Sequence, residues 1–124
     1  MADELKVRVR VSLSNGFLAE LFDPGEVSIT QTTANDHCPV VDIGTSEEDI
    51  SFADISSANI GYCVMRNLDT TNYVDIGPKS AGAMVAMLRL KPGEPQVMRL
   101  VPSVTLRAIA NTAACKVKFY FFET

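Results

Sequence analysis

Apolar and polar residues alternate at both ends of this chain. Leu5, Val7, Val9, Val11 and Leu13 interleave with Lys6, Arg8, Arg10 and Ser12, and Cys115, Val117, Phe119 and Phe121 interleave with Lys116, Lys118, Tyr120 and Phe122. Successive strand side chains point to opposite faces, so a period of two specifies half-buried strands and excludes amphipathic helices here. Turn chemistry punctuates the rest. Ser14-Asn15-Gly16 ends the first strand, and Asp23-Pro24-Gly25-Glu26 has the proline and glycine placement of a type II turn.

Between these markers the β-branched segment Glu26 to Thr33 and the short segment Pro39 to Ile43 read as strands, with Ile50 to Ile55 a weak one. Thr45 to Asp49 reads as a loop, with Ser46 and Asp49 also fitting one capped helical turn. Ile60 to Leu68 is predicted to be a strand, Asp69-Thr70-Thr71 a turn, and Asn72 to Ile76 its hairpin partner. Gly77-Pro78-Lys79-Ser80 is predicted to break the pattern; Ala83 to Leu90 is the longest apolar run, and Lys91-Pro92-Gly93-Glu94 repeats the Pro-Gly turn. Gln96 to Val101 and Thr105 to Ala110 complete the set. About eight or nine short strands at regular spacing predict an all-β fold, either an antiparallel β-sandwich or a jelly-roll-like barrel. The chain's 124 residues form one expected domain, 1–124, long enough to bury a core without metal or disulfide support.

Charge and composition exclude several function classes. A formal net charge of −4 repels phosphate backbones, so no nucleic-acid partner is expected. No apolar run is long enough to span a bilayer, so no membrane partner is expected. Met1-Ala2-Asp3-Glu4 is acidic where a secretory signal is basic, which predicts synthesis in a cytoplasm. Three cysteines at long spacings, Cys38, Cys63 and Cys115, predict reduced thiols.

Catalytic chemistry finds no support in the residues. The single histidine, His37, adjoins Cys38, but neighbours in an extended chain face opposite ways and cannot address one substrate. A zinc site lacks a close cysteine pair. Gly77 and Gly82 lack phosphate-loop spacing, and Glu47-Glu48-Asp49 lacks the EF-hand pattern. The expectation is therefore no enzyme, no catalytic residue, no metal and no cofactor.

Two surface features remain. Lys6, Arg8 and Arg10 on the first strand and Lys116 and Lys118 on the last would form one basic stripe if those strands were neighbours, able to orient docking on an acidic partner. The alternative is solvated positions weakly paired with nearby acids. The run Ala83-Met84-Val85-Ala86-Met87-Leu88 has no polar side. It is either a central strand covered on both faces or a subunit interface using Met84, Met87 and Leu88.

Three segments resemble small β-rich virion proteins of tailed bacteriophages: Arg66-Asn67-Leu68-Asp69-Thr70-Thr71-Asn72-Tyr73-Val74-Asp75-Ile76-Gly77, then Leu88-Arg89-Leu90-Lys91-Pro92-Gly93-Glu94, then Ala108-Ile109-Ala110-Asn111-Thr112-Ala113-Ala114-Cys115-Lys116-Val117. In the first half only the opening strand and Gln31-Thr32-Thr33 would fit. The resemblance implies a structural virion component, above all a capsid decoration or cement protein bridging neighbouring subunits. Its implied partners are the major capsid protein or other virion proteins, and further copies of itself, with a trimer favoured. A head–tail or tail assembly component, or a glycan- or receptor-binding module of a fibre using Tyr62, Tyr73 and Tyr120, is the alternative. The family supplies no catalytic residues.

Overall fold

The computed structural model describes residues 3–31 and 33–124. Met1 and Ala2 of the acidic start, and Thr32 of the Glu26 to Thr33 strand and of the Gln31-Thr32-Thr33 segment, lie outside the described residues. The chain divides into two units, one ending at Ala34 and taking in Thr124, the other spanning Asn35–Glu123.

The first unit is a long hairpin. Its strands are β1 (Leu5–Arg8), β2 (Val11–Asn15), β3 (Leu18–Phe22) and β4 (Glu26–Ile29). β1 pairs with β4, and β2 with β3, both antiparallel. Arg8 faces Glu26 and Val11 faces Phe22, so three steps on one side (8 to 11) oppose four on the other (26 to 22). The surplus residue makes a bulge at Asp23-Pro24-Gly25, where Gly25 has the positive φ of 92° that the turn chemistry calls for. The strand read as continuous from Leu5 to Leu13 is therefore interrupted at Val9 and Arg10. At the tip, Gly16 with φ 58° opens a two-residue loop with Phe17.

The second unit is an antiparallel β-sandwich. Its strands are β5 (Asp36–His37), β6 (Val40–Ile43), β7 (Glu48–Asp49), β8 (Ile60–Asn67), β9 (Val74–Ser80), β10 (Ala83–Met84), β11 (Leu88–Leu90), β12 (Pro95–Arg99), β13 (Leu106–Ala110) and β14 (Cys115–Glu123). One sheet runs β12-β8-β14 with β5 and β6 both on the far side of β14; the other runs β7-β13-β9 with β10 and β11 both on β9. β5 and β6 keep one register along β14, joined through Phe119 N–H donating to the Pro39 carbonyl (2.9 Å), so they are a single edge strand broken by a proline. The fold is all-β, as expected. Fourteen strand segments among the described residues replace the expected eight or nine, because bulges and Pro39 divide several lines into two.

Three local expectations are corrected. Ile60–Asn67 and Val74–Ser80 do not form a hairpin, because β8 lies in one sheet and β9 in the other. The Asp69 turn is instead the corner by which the chain changes sheets. β9 runs straight through Gly77-Pro78, since Leu106 and Arg107 of β13 pair with Pro78 and Gly77. No strand forms over Ile50 to Ile55; Ile50, Phe52 and Ile55 are buried as loop residues. A short helical turn does occur, but at Ser57–Asn59, capped by Ser56 Oγ accepting from Ala58 N–H, whereas Glu48–Asp49 is strand.

The core is filled asymmetrically. β14 contributes Val117, Phe119 and Phe121, all fully buried, and facing β13 contributes Ala108 and Ala110. Phe119 and Phe121 stack with ring centroids 5.3 Å apart, and Phe52 meets Phe121 edge-on at 4.8 Å. All of these residues belong to the one buried apolar cluster between the sheets.

Asn67, at the end of β8, is a fully buried polar residue in this layer. Its side-chain amide donates to the carbonyls of Asn72 (2.9 Å) and Leu90 (3.0 Å), and its Oδ1 accepts from Asp69 N–H (2.9 Å). Its backbone N–H donates to the Glu94 carbonyl (3.2 Å) and its carbonyl accepts from Gly93 N–H (3.0 Å). One residue thus joins the inter-sheet corner, the end of β11 and the Lys91–Glu94 turn. Replacing Asn67 with Ala should strand the Leu90 carbonyl and remove three side-chain hydrogen bonds, a loss of about 2–4 kcal/mol. A lower urea midpoint at unchanged slope checks this.

Candidate interaction surfaces

The strands that carry the five expected stripe cations are not paired with each other. β1 pairs only with β4, and β14 pairs with β5, β6 and β8. Lys6, Arg8 and Arg10 therefore belong to the hairpin unit, and Lys116 and Lys118 to the sandwich. Most of the five have their own partners. Lys6 Nζ donates to Ser28 Oγ (3.1 Å), and Arg8 forks onto Asp23 (2.8 and 3.3 Å). Arg10 lies 3.7 Å from the same carboxylate, and Lys116 pairs with Asp42 at 2.8 Å. Lys118 Nζ donates to the Cys38 carbonyl at 2.6 Å. The Arg8 hydrogen bond holds the Asp23 carboxyl below its ordinary range.

The apolar run is an edge and not a central strand. β10 and β11 both pair with β9, but Met84 faces Lys79 while Leu88 faces Ile76, so four steps oppose three and one residue bulges out. Val85 N–H donates to the Pro78 carbonyl (2.8 Å) and Met87 N–H to that of Ile76 (3.1 Å). The bulge folds over Gly77, where an added Cβ would lie 1.9 Å from the Val85 carbonyl oxygen. Met87 is 61% exposed and Val85 55%, while Met84 and Leu88 are half-buried. A shallow open depression is lined by Asp75, Ala86, Met87, Leu88 and Arg89. Arg89 stacks over the Tyr73 ring (3.9 Å) and pairs with Asp75 (2.7 Å).

Arg107 fastens both edges of this sheet. It pairs with Asp49 (2.7 Å) and Glu47 (3.2 Å) and donates to the Gly82 carbonyl (3.2 Å), while Glu47 also accepts Met84 N–H (2.7 Å). The outer face of the β7-β13-β9 sheet is thereby occupied by its own ion pairs.

The opposite outer face is of a different kind. Strand register places Pro95, Arg66, Lys118 and Val40 in one row, and Val97, Val64 and Tyr120 in the next. Tyr120 and Val40 are exposed, and Val64 and Val97 are half-buried. Arg99 lies over the Tyr62 ring at 4.7 Å and Lys118 near that of Tyr120 at 5.1 Å. Arg66 and Lys118 are register partners whose charged ends go to the Gly93 carbonyl (3.2 Å) and the Cys38 carbonyl (2.6 Å).

Sequence reasoning missed the most exposed apolar surface. The β2–β3 hairpin presents Val11, Leu13, Leu18, Leu21 and Phe22 at 46–63% exposure, and Phe17 at the tip is fully exposed. The alternation had been read as one buried face; only the strand length before Ser14-Asn15-Gly16 signalled a long two-stranded arm.

No family model and no curated protein matches the chain. A solved structure does: a chain from Bacillus endospore appendages, described as a family of disulfide-linked pili, superposes with a TM-score of 0.54 at 18% identity, covering 73% of this chain and 87% of that one. At that identity the likeness shows a shared fold.

The three thiols are unpaired here. His37 stacks on Phe121, with ring centroids 6.4 Å apart, while the half-buried Cys38 thiol donates to Asp36 (3.5 Å), so the two side chains take separate surroundings. Among the described residues no cluster of His, Cys, Asp and Glu is placed to hold a metal, and no helix is long and apolar enough to cross a membrane. Burial pushes the Cys63 thiol up to about 12, and raises Cys115 as well. A raised folded-state value means that stability is complete below the unfolded thiol value of 9.0 and declines as pH climbs from there toward 12. Urea midpoints should fall between about pH 8 and about pH 10.5, and less steeply in Cys63→Ala. In native protein at about pH 8 a thiol reagent should leave Cys63 unmodified, with all three thiols reacting after unfolding.

Proposed function

We propose that this protein is a structural subunit of a multi-copy assembly, a β-sandwich head that joins its neighbours through the β2–β3 hairpin. The observation that carries this reading is the hairpin's uncovered apolar surface: five aliphatic or aromatic side chains about half exposed and a sixth, Phe17, wholly so. A lone two-stranded hairpin is marginal in water, and contiguous apolar surface of this kind marks a contact with another protein. The pilus-forming structural neighbour supports assembly as the role of such a sandwich. Disulfide linkage is not carried over. The hairpin unit's residues 1–34 contain no cysteine, Cys63 and Cys115 are buried, and the half-buried Cys38 thiol donates to Asp36.

A shell-decorating protein of a phage particle is the second reading, and one observation favours it. The three segments resembling small virion proteins converge at one end of the sandwich. Leu68 N–H donates to the Lys116 carbonyl (2.8 Å), Asn111 N–H to that of Tyr73 (3.2 Å), and Thr112 Oγ1 to Asn72 Oδ1 (2.7 Å). The succession of strands between sheets is the order we read as jelly-roll, an architecture used by viral capsid domains. Each copy bridging two shell subunits would stabilise the closed shell by mass action.

In sedimentation velocity the purified chain should form oligomers whose size grows with concentration and is unchanged by reductant. The double variant Leu13→Ser, Phe22→Ser should run as monomer with an unaltered β spectrum. Oligomers that persist in this variant would refute the hairpin as the joint. Co-sedimentation of the wild-type chain with empty phage shells tests the decorating role.

A further inference from the structure

The hairpin has two unlike faces. Register puts Val11, Leu13, Leu18 and Phe22 on one side with Glu20, and Ser12, Ser14, Ala19 and Leu21 on the other. Glu20 is the sole charge on the larger apolar face, and no cation among the described residues lies within ion-pair distance of it.

The sandwich carries the complementary pattern. On the outer face of β12-β8-β14, an apolar row of Val97, Val64 and Tyr120 adjoins Arg66 and Lys118. Those two residues are register partners on adjacent strands, and neither has a carboxylate partner among the described residues. Their hydrogen bonds go to the carbonyls of Gly93 (3.2 Å) and Cys38 (2.6 Å), on opposite sides of the pair, and neither is ion-paired among the described residues. A five-residue hairpin is about 17 Å long and two strands wide, whereas β8 alone extends about 26 Å within a sheet four strands across, so the hairpin fits. The outer face of the other sheet is unsuitable, because Arg89 and Arg107 there are already paired with Asp75, Asp49 and Glu47.

We propose that the β2–β3 hairpin of one copy lies face-on across the β12-β8-β14 sheet of a second copy, with the Glu20 carboxylate between Lys118 and Arg66. This rests on the reading of the hairpin as the assembly joint, and it names the joint's other half. Leu13, Leu18, Val11 and Phe22 then cover Val64, Val97 and Tyr120, and the acid supplies a carboxylate to cations that have none among the described residues.

Charge reversal on the full chain tests the placement. Glu20→Lys and Lys118→Glu should each weaken self-association about tenfold or more, and the two together should recover to within about threefold of wild type. Arg66→Glu with Glu20→Lys is the second pair, for the case that Lys118→Glu does not fold. If Leu13→Ser, Phe22→Ser abolishes assembly while both charge-reversal pairs are merely additive, the hairpin is the joint but docks elsewhere, and this placement is overturned. If the serine variant still assembles, or wild type stays monomeric at every concentration, the joint itself is overturned and the placement with it. A monomer whose melting temperature shows the same charge coupling would place the hairpin on its own sandwich and also overturn docking on a second copy.

Discussion

The buried amide of Asn67 is the interaction on which the sandwich end depends. A chain that changes sheets must turn through a corner with its backbone polar groups out of either ladder, and burial makes each unmet group costly. Asn67 meets this with two side-chain donors, a side-chain acceptor and both backbone groups, reaching four separate places in the chain. Asp69 completes the corner by accepting the N–H groups of Thr71 (2.9 Å) and Asn72 (2.6 Å), which hold its carboxyl below the ordinary range. With the corner set, β8 and β9 are committed to different sheets, and the strands that follow inherit their places. Aspartate at position 67 would supply no N–H donors, and leucine no polar group at all, so asparagine alone among residues of this size satisfies the site.

Much of this was legible in the sequence, and the rest failed for identifiable reasons. The alternation in Cys115–Glu123 fixed the longest strand and its buried face, because a period of two has one structural meaning. The Pro-Gly turn at Pro92-Gly93 was correctly placed; Gly93 has φ 80°, and Glu94 N–H donates to the Lys91 carbonyl (3.0 Å), whereas Pro24-Gly25 makes a bulge in an arm that runs on from β3 to β4. Pairing was not legible. Ile60–Asn67 and Val74–Ser80 are neighbours in sequence joined by a turn-like segment, which describes a hairpin and an inter-sheet corner equally well. Only the partners of β8, namely β12 and β14, decide between them, and both lie far along the chain.

The apolar run from Ala83 to Leu88 shows a second limit. Lack of alternation suggested cover on both faces, yet the run is an edge. Ala81 and Gly82, both at positive φ, turn the chain back on β9, and a bulged residue then shifts the register between β10 and β11. A bulge abolishes strict alternation without requiring a second cover. It also blunts the edge against pairing with another chain, as Pro39 does on the opposite sheet. The basic stripe was conditional on β1 and β14 being neighbours, and nothing in either strand encodes which one lies beside it: β1 pairs with β4, and β14 with β5, β6 and β8.

Edges guarded in this way bear on how copies can join. A bulge, a proline and the two-residue β7 shorten three of the sandwich's four edges, and the fourth is β12, which begins at Pro95. Faces remain. One outer face is closed by Arg107 and Arg89 with their carboxylates, and opening it would leave charges unpaired. The other combines apolar side chains with two cations that have no carboxylate partner among the described residues, and so gains from an acidic, apolar partner. The hairpin face around Glu20 has that composition. Most of the binding energy in such a contact comes from covering Leu13, Leu18 and Phe22, whereas the rim-exposed carboxylate fixes orientation and penalises wrong registers. Turning the hairpin over would put Ser12, Ser14, Ala19 and Leu21 toward the sheet and carry Glu20 away from both cations. Apolar area therefore makes the hairpin adhesive, and a single acid among it makes the adhesion specific.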